Sequence, residues 1–311
     1  MRNQSVLVRK LKHAWQYLKT DGLVYTLRVA ASKFLKLLHG LLPPLTYKSL
    51  YMFLRLGYWP NIRNPRSFNE KISHRQLFAQ HPLSSLISDK WRVREYVAQR
   101  GLAHILNKVY WVGENPKEIP FDDLPDKFVI KANHGSGWNI FVKNKSKLNK
   151  QQVIQQCRRW LNVKYSRESR IPETVYDNIR PLIIVERYFE DQKYEVPLDY
   201  KIHCFHGKVH YIDVICNSKT GIRTKSSYDP QWNRMNYRYR LPKGDDIPRP
   251  AKLNEMLNIA ERLSSGIDYC RVDLYLLNNE KLLFGEITLN PIGGVGKFYP
   301  REWDFKFGEL W

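Results

Sequence analysis

The spacing of apolar positions divides this 311-residue chain into a helical front and a strand-rich remainder. Near the N-terminus Leu23, Leu27, Ala30, Phe34, Leu38 and Leu41 recur at helical spacing, with Arg28, Ser32, Lys36 and His39 on another face. Pro43-Pro44 then ends the helix. Further helices are predicted from Tyr47 to Leu56, from Ser67-Phe68-Asn69-Glu70 to Phe78, and from Ser88 to Arg100, where Gly101 closes the last. Ser67 followed by Glu70 has capping-box spacing, in which each side chain takes the other's backbone N–H. From residue 109 the pattern changes to short apolar runs. Val109 to Val112, Lys127 to Ala132, Leu182 to Val185, Tyr200 to His206 and Val209 to Ile215 read as strands. Cys270 to Leu277 and Lys281 to Ile287 read as a hairpin turning at Asn278-Asn279-Glu280. Helices are expected over Gln151–Val163 and Glu255–Ser264, and no internal repeat is present.

Composition narrows the class. With 43% hydrophobic and 26% charged residues the chain can bury a core, and its length suits about two domains. Lys and Arg number 51 against 30 Asp and Glu, a net +21 that calls for an anionic partner: nucleic acid, membrane surface, nucleotide or acidic polysaccharide. Residues 1–47 carry eight basic residues and one acid, Asp21. A helix packed on the body and a helix lying in the plane of an anionic membrane both fit that segment. No nucleic-acid-binding signature appears and the other basic residues are spread, which argues against nucleic acid. Cys157, Cys204, Cys216 and Cys270 show no C-x-x-C spacing, so reduced thiols are expected rather than zinc or a disulfide framework. The opening MRNQSVLVRKLKHAW lacks the apolar stretch of a signal peptide. No window reaches the roughly 18 uncharged apolar residues of a membrane span. The expected location is the cytoplasm, with peripheral contact at the inner face of the cell membrane.

Three groups of residues carry candidate chemistry. The strand Phe128-Val129-Ile130-Lys131-Ala132 runs into Asn133-His134-Gly135-Ser136-Gly137, a lysine followed by a glycine loop that is neither a Walker nor a Rossmann pattern. A lysine covered by a glycine loop suits phosphates, and an ordinary hairpin turn with an exposed lysine fits the segment as well. Asp273, in Arg271-Val272-Asp273, and Glu286, in Gly285-Glu286-Ile287-Thr288, alternate with apolar neighbours on adjacent strands. Two facing carboxylates repel unless a cation separates them, and such oxygen ligands suit Mg²⁺; solvated strand carboxylates are the alternative. Finally, Ile184-Val185-Glu186-Arg187-Tyr188 and Asp199-Tyr200-Lys201 supply an acid at a strand end and a second strand lysine.

Taken in order, these residues resemble the ATP-grasp family, and within it the TupA-like branch associated with teichuronopeptide and other cell-surface polysaccharide biosynthesis. The resemblance rests on Asn64 through Lys71, Ser88-Asp89-Lys90 through Val97, Phe128 through Gly137, Asp199 through Lys208, Arg271-Val272-Asp273 and Gly285-Glu286-Ile287-Thr288. It covers about residues 50–311. It implies an α+β, ATP-grasp fold in which two α+β subdomains sandwich ATP, preceded by an N-terminal helical segment. The implied division is a basic helical extension over 1–47, a helical region over 48–108 and the core over 109–311. Within the core, the lid would span about 127–185 and the catalytic subdomain about 186–311.

By the same resemblance, Lys131 and Lys201 contact phosphates and His134, Gly135, Ser136 and Gly137 form the phosphate lid. Glu186, Arg187 and Tyr188 meet the adenine edge, and Asp199 lies on the ribose. Asp273 and Glu286 hold Mg²⁺; the family's Asn two residues after the glutamate is here Thr288, which leaves Asn290, on the same strand face four residues on, or Thr288 itself as the third ligand. Arg271, Lys201 and His134 are the implied catalytic residues. The implied activity is an ATP-dependent carboxylate–amine ligase using ATP and Mg²⁺, joining an amine such as an amino acid to a sugar acid of a capsular or other cell-envelope polysaccharide. A phosphotransferase on a polysaccharide precursor and a glycosyltransferase of the same pathway are the alternatives.

Overall fold

The computed structural model describes residues 22–168, 174–194, 197–217 and 223–311, so the first 21 residues of the expected 1–47 extension lie outside the described residues. The chain forms two compact units, residues 1–80 with 292–310, and residues 81–291 with Trp311.

The first unit is helical: α1 (22–35), α2 (Pro44–Leu56), α3 (Phe68–Phe78) and a C-terminal helix, Glu302–Glu309. The capping box at Ser67 is formed as expected, Glu70 N–H donating to Ser67 Oγ at 3.2 Å and Ser67 N–H to Glu70 Oε2 at 3.0 Å. Glu70 does more than cap, accepting the N–H groups of Asn61 at 2.8 Å and Arg66 at 2.9 Å as well. The C-terminal helix was absent from the sequence reading, and it docks on this motif. Asp304 accepts Asn69 N–H at 3.0 Å and Tyr58 Oη–H at 2.9 Å. Gly308 lies so close that an added Cβ would stand 2.1 Å from the Arg66 carbonyl oxygen, so only glycine fits there. In α1 the packed face is Tyr25, Val29, Ser32 and Leu35, the reverse of the expected apolar face; Leu23, Leu27, Ala30 and Phe34 are exposed.

The second unit begins with α4 (Ser84–Ser88) and α5 (Val93–Gln99), where one helix from Ser88 to Arg100 was expected. The break has a local cause: Asp89 Oδ1 accepts Trp91 N–H at 2.8 Å and Arg92 N–H at 3.3 Å, restarting the helix. Ile87, Val93, Tyr96 and Val97 belong to the same apolar core as Ile202, Val272 and Leu274, which binds 81–108 to the sheet that follows. For this reason the expected boundaries at 47/48 and 108/109 fall inside the compact units.

A four-stranded antiparallel sheet has the order β1-β4-β2-β3, from β1 (Val109–Gly113), β2 (Phe128–Ala132), β3 (Asn139–Val142) and β4 (Ile183–Arg187). Between β3 and β4, α6 (Lys150–Leu161) buries Val153, Cys157 and Trp160 against it. A five-stranded sheet follows, from β5 (Asp199–Phe205), β6 (Lys208–Asn217), β7 (Arg223–Tyr228), a short β8 (Arg238–Tyr239) outside the sheet, β9 (Tyr269–Leu277) and β10 (Lys281–Thr288). Its order is β10-β9-β5-β6-β7. Here α8 (Leu253–Ser264) covers one face through Met256, Ile259, Ala260 and Leu263. The three-residue β9–β10 turn places Asn278 and Asn279 at φ 52° and 58°, in the left-handed region that asparagine enters more readily than most residues. All four cysteines are free. Among the described residues no helix is long and apolar enough to cross a membrane.

Candidate active site

The face of the five-stranded sheet that bears Asp273 and Lys201 carries charge in cross-strand register. Glu286 pairs with Asp273, Asp273 with Lys201, Lys201 with Asp213, and Asp213 with Ser227, so one polar row crosses all five strands. Glu286 reaches that row because of a bulge between Phe284 and Glu286. At the bulge Gly285 leaves no space for a Cβ, which would lie 2.9 Å from the Asp273 carbonyl oxygen. In a strand that kept the register of Lys281–Phe284 with no bulge, Glu286 would fall opposite Val272 on the apolar face.

Within the row, Arg271 donates from Nε to Asp273 Oδ1 at 2.6 Å and from Nη2 to Oδ2 at 2.7 Å. Its Nη2 also donates to Glu286 Oε1 at 2.9 Å and Thr288 Oγ1 at 3.0 Å. Lys201 forms ion pairs with Asp273 and, at 2.7 Å, with Asp199. Burial and Arg271 act to lower the Lys201 pKa, but Asp273, Asp199 and Glu286 outweigh them and hold it above its ordinary value. Burial likewise works against the Glu286 charge, yet Arg271, Lys201 and Lys90 keep its carboxyl below the usual range. Desolvating so many charges is costly, and a buried ionic network is poor evidence of a stabilising role; perturbed groups of this kind mark functional sites.

The second charged group lies at the end of the four-stranded sheet. Lys131 and Glu186 form an ion pair at 2.6 Å, and Asn107 Nδ2 donates to Glu186 Oε2 at 2.7 Å. Burial alone would raise the Glu186 pKa, and Lys131 and Asn107 bring it below its ordinary value. The expected phosphate lysine and adenine-edge glutamate therefore meet in one pair. Arg187 spends its backbone elsewhere, N–H to the Lys108 carbonyl at 2.9 Å and carbonyl to Asn107 Nδ2 at 2.9 Å. The Tyr188 ring packs edge-on to Phe141, centroids 6.4 Å apart.

Lys90 was quoted in the sequence without a role, and the structure places it between the two groups. Its ammonium donates to the Gly135 carbonyl of the glycine loop. Burial lowers its pKa, opposed by Glu286 on one sheet and by Glu186 on the other. The signal for this was the Asp89 turn, which displaces Lys90 from a helix face. Asn133 fixes the loop from below, donating to Asp89 Oδ1 at 2.9 Å and accepting Leu182 N–H at 2.7 Å. Gly135 has no space for a side chain, since a Cβ would lie 2.7 Å from the Tyr165 ring. Ser136 and Gly137 are exposed, with Gly137 at φ +75°. His134 differs: it is 2% exposed, Nε2 bonds the Trp160 carbonyl at 3.0 Å and Nδ1 bonds Asn133 Oδ1 at 3.0 Å. Each ring nitrogen faces an acceptor, a neutral imidazole donates to one of them, and these contacts anchor the loop.

Unpartnered acceptors gather around these charges. Among the described residues, the buried side-chain oxygens without a hydrogen-bond partner include Asn139 Oδ1, Asp199 Oδ1 and Asn290 Oδ1. Asn139 pairs across strands with Lys131, Asp199 is bound to Lys201, and Asn290 lies two residues past β10. Buried acceptors left open cost free energy, so one opposite Lys131, one beside Lys201 and one just past β10 each leave room for a donor or cation. Asp273, Glu286 and Asn290 fit Mg²⁺, which takes one or two carboxylates plus phosphate oxygens rather than an all-protein cage. Among the described residues no cluster of three or more His, Cys, Asp or Glu is placed to hold a metal ion.

One antiparallel sheet carries a lysine and a glycine loop, and the other a cross-strand row of lysine and carboxylates. The sequence profile of the TupA-like ATP-grasp family matches residues 70–311, and the chain belongs to that family. No curated protein sequence matches the chain. Solved structures similar to parts of it include the D-alanine–D-alanine ligase of Bacillus anthracis complexed with ATP, at 17% identity and a TM-score of 0.39 over 67% of this chain and 55% of that one. An L-amino acid ligase of Bacillus licheniformis matches at 14% identity and a TM-score of 0.44, over 73% and 49%. N5-carboxyaminoimidazole synthetase of Staphylococcus aureus complexed with ADP matches at 11% and 0.40, over 65% and 44%. The chain thus spans about half the length of each.

Proposed function

We propose that the protein is an ATP-dependent carboxylate–amine ligase working through an acyl phosphate. The observation that carries this reading is the cross-strand row Glu286–Asp273–Lys201, with Arg271 across it and open acceptors at Asp199 and Asn290. Lys90, Lys131 and Lys201 take the polyphosphate, each exchanging a carboxylate or carbonyl partner for phosphate oxygens. Glu186, held by Asn107, faces the adenine edge. Asp273, Glu286 and Asn290 would hold Mg²⁺, which when bound offsets the charge on the phosphates. A substrate carboxylate oxygen attacks the γ-phosphorus, the bond to the β-phosphate oxygen breaks, and ADP leaves. An amine nitrogen then attacks the acyl carbon, loses a proton and expels inorganic phosphate. Arg271 stabilises the oxyanion of that second step, a role in which one lost donor costs about 3 kcal/mol.

For the substrate, the net +21 favours an acidic acceptor, and we assign the carboxylate to a sugar acid of a cell-surface polysaccharide or its precursor and the amine to an amino acid. The test is hydroxylamine trapping with candidate sugar acids: ATP-dependent hydroxamate formation with release of ADP supports the ligase. A stable phosphorylated product formed without any amine would instead identify a phosphotransferase.

A further inference from the structure

The exposed large apolar side chains are unevenly distributed. Of the ten among the described residues, nine belong to the first unit and one, Phe141, to the second. Most form a stripe on α1 and the turn after it: Leu23, Leu27 and Phe34 are 60–72% exposed, Leu37 and Leu41 77%, and Leu38 45%. The opposite face of the helix is already used. Tyr25, Val29, Ser32 and Leu35 are at most 8% exposed, Lys297 lies 4.2 Å over the Tyr25 ring, and Arg28 lies 5.4 Å over Phe53. A helix that packs on one side and keeps leucines on the other has a surface that water does not stabilise.

Charge selects the occupant. From residue 22 to residue 69 the chain has no acidic residue and seven basic ones, Arg28, Lys33, Lys36, Lys48, Arg55, Arg63 and Arg66. The preceding 21 residues add five basic residues against Asp21. A second copy would bring the same positive charge to the interface and be repelled. A bilayer with anionic headgroups complements both properties, admitting leucines at the acyl boundary and basic side chains at the headgroups.

We propose that the exposed face of α1 and its following turn docks the protein in the plane of an anionic membrane surface. The proposal does not depend on the ligase reading, because nothing in it involves the nucleotide site. The experiment is co-sedimentation of the full chain with vesicles of phosphatidylcholine alone and of phosphatidylcholine mixed with phosphatidylglycerol, at low and high salt. The full chain binds the mixed vesicles, loses affinity with salt and binds the neutral vesicles weakly. Leu27→Glu with Phe34→Glu, and separately Leu37→Glu with Leu41→Glu, weaken binding by about tenfold or more at an unchanged melting temperature. Wild-type protein that ignores mixed vesicles overturns the proposal, as does undiminished binding by both variants. Concentration-dependent dimerisation abolished by both variants, seen by sedimentation velocity without vesicles, overturns it in favour of a second copy.

Discussion

Two carboxylate clusters in this chain are built on opposite principles. In the first unit, Glu70 accepts three backbone N–H groups beyond its α3 hydrogen bonds, and Asp304 accepts a backbone N–H and a tyrosine hydroxyl. Their partners are fixed by the fold and cannot leave. In the second unit, Asp273 and Glu286 are met by Arg271 and Lys201, side chains on long stems whose partners can be exchanged. Backbone partners make a carboxylate a structural joint, and flexible cations keep one available for a ligand. The motif Asn64 through Lys71, prominent in the sequence, is thereby a docking joint for the C-terminal helix, whereas the site is built from residues scattered between 89 and 290.

Replacing Asp304 with Ala breaks the first cluster and should give the largest loss of stability. The buried Asn69 N–H and Tyr58 hydroxyl lose their acceptor, and about 3–5 kcal/mol is expected, read as a fall in denaturant midpoint. Asp273→Asn should do the converse. Arg271 and Lys201 keep Glu286, Thr288 and Asp199, so the midpoint moves little while Mg²⁺-dependent ATP turnover falls by about a hundredfold or more. A variant that unfolds with retained specific activity would remove the distinction.

A third cluster sharpens the comparison. Asp213 accepts Ser227 at 2.6 Å, Tyr237 at 2.8 Å and Lys225 at 2.5 Å, all buried, beside His203 at 3.5 Å. Burial, outweighing Asp213, drops the His203 pKa to about 4. The unfolded chain therefore binds a proton that the folded chain refuses between about pH 6.5 and 4. Stability should be complete above that window and decline through it as pH falls, by about 3 kcal/mol in total from this residue. His203→Gln should flatten that part of the pH–stability curve; an unchanged slope would show that another group titrates there. The smallest effect is expected at the third metal ligand. Asn290→Ala should raise the Mg²⁺ requirement about tenfold and Thr288→Ala less, since Thr288 Oγ1 already accepts Arg271 and donates to Glu286. The reverse order would assign coordination to the threonine.

The sequence was most legible where one local rule acts alone. The capping box, the Asn278-Asn279 hairpin and α6 and α8 each appear within two residues of their expected bounds. It was least legible where tertiary contacts decide. Strand β7 reads Arg-Thr-Lys-Ser-Ser-Tyr, polar because Lys225 and Ser227 face the Asp213 cluster, so no apolar run announces it. The face of α1 was inverted because amphipathicity shows that two faces differ, not which one finds a partner. In the candidate site, Lys131, Lys201, Asp273 and Glu286 stand in strand motifs that are legible in the sequence. Lys90, Asn107 and Asn139 occupy turns and strand edges, and only the fold brings them to the same charges.

If lysines from both sheets serve one nucleotide, each must contribute to its affinity. Calorimetric titration of Mg²⁺–ATP onto wild-type protein, Lys131→Met and Lys201→Met measures that contribution. Wild-type protein should bind one ATP, and each variant should bind at least about tenfold more weakly at an unchanged melting temperature. Wild-type protein that fails to bind, or unchanged affinity in either variant, would contradict it.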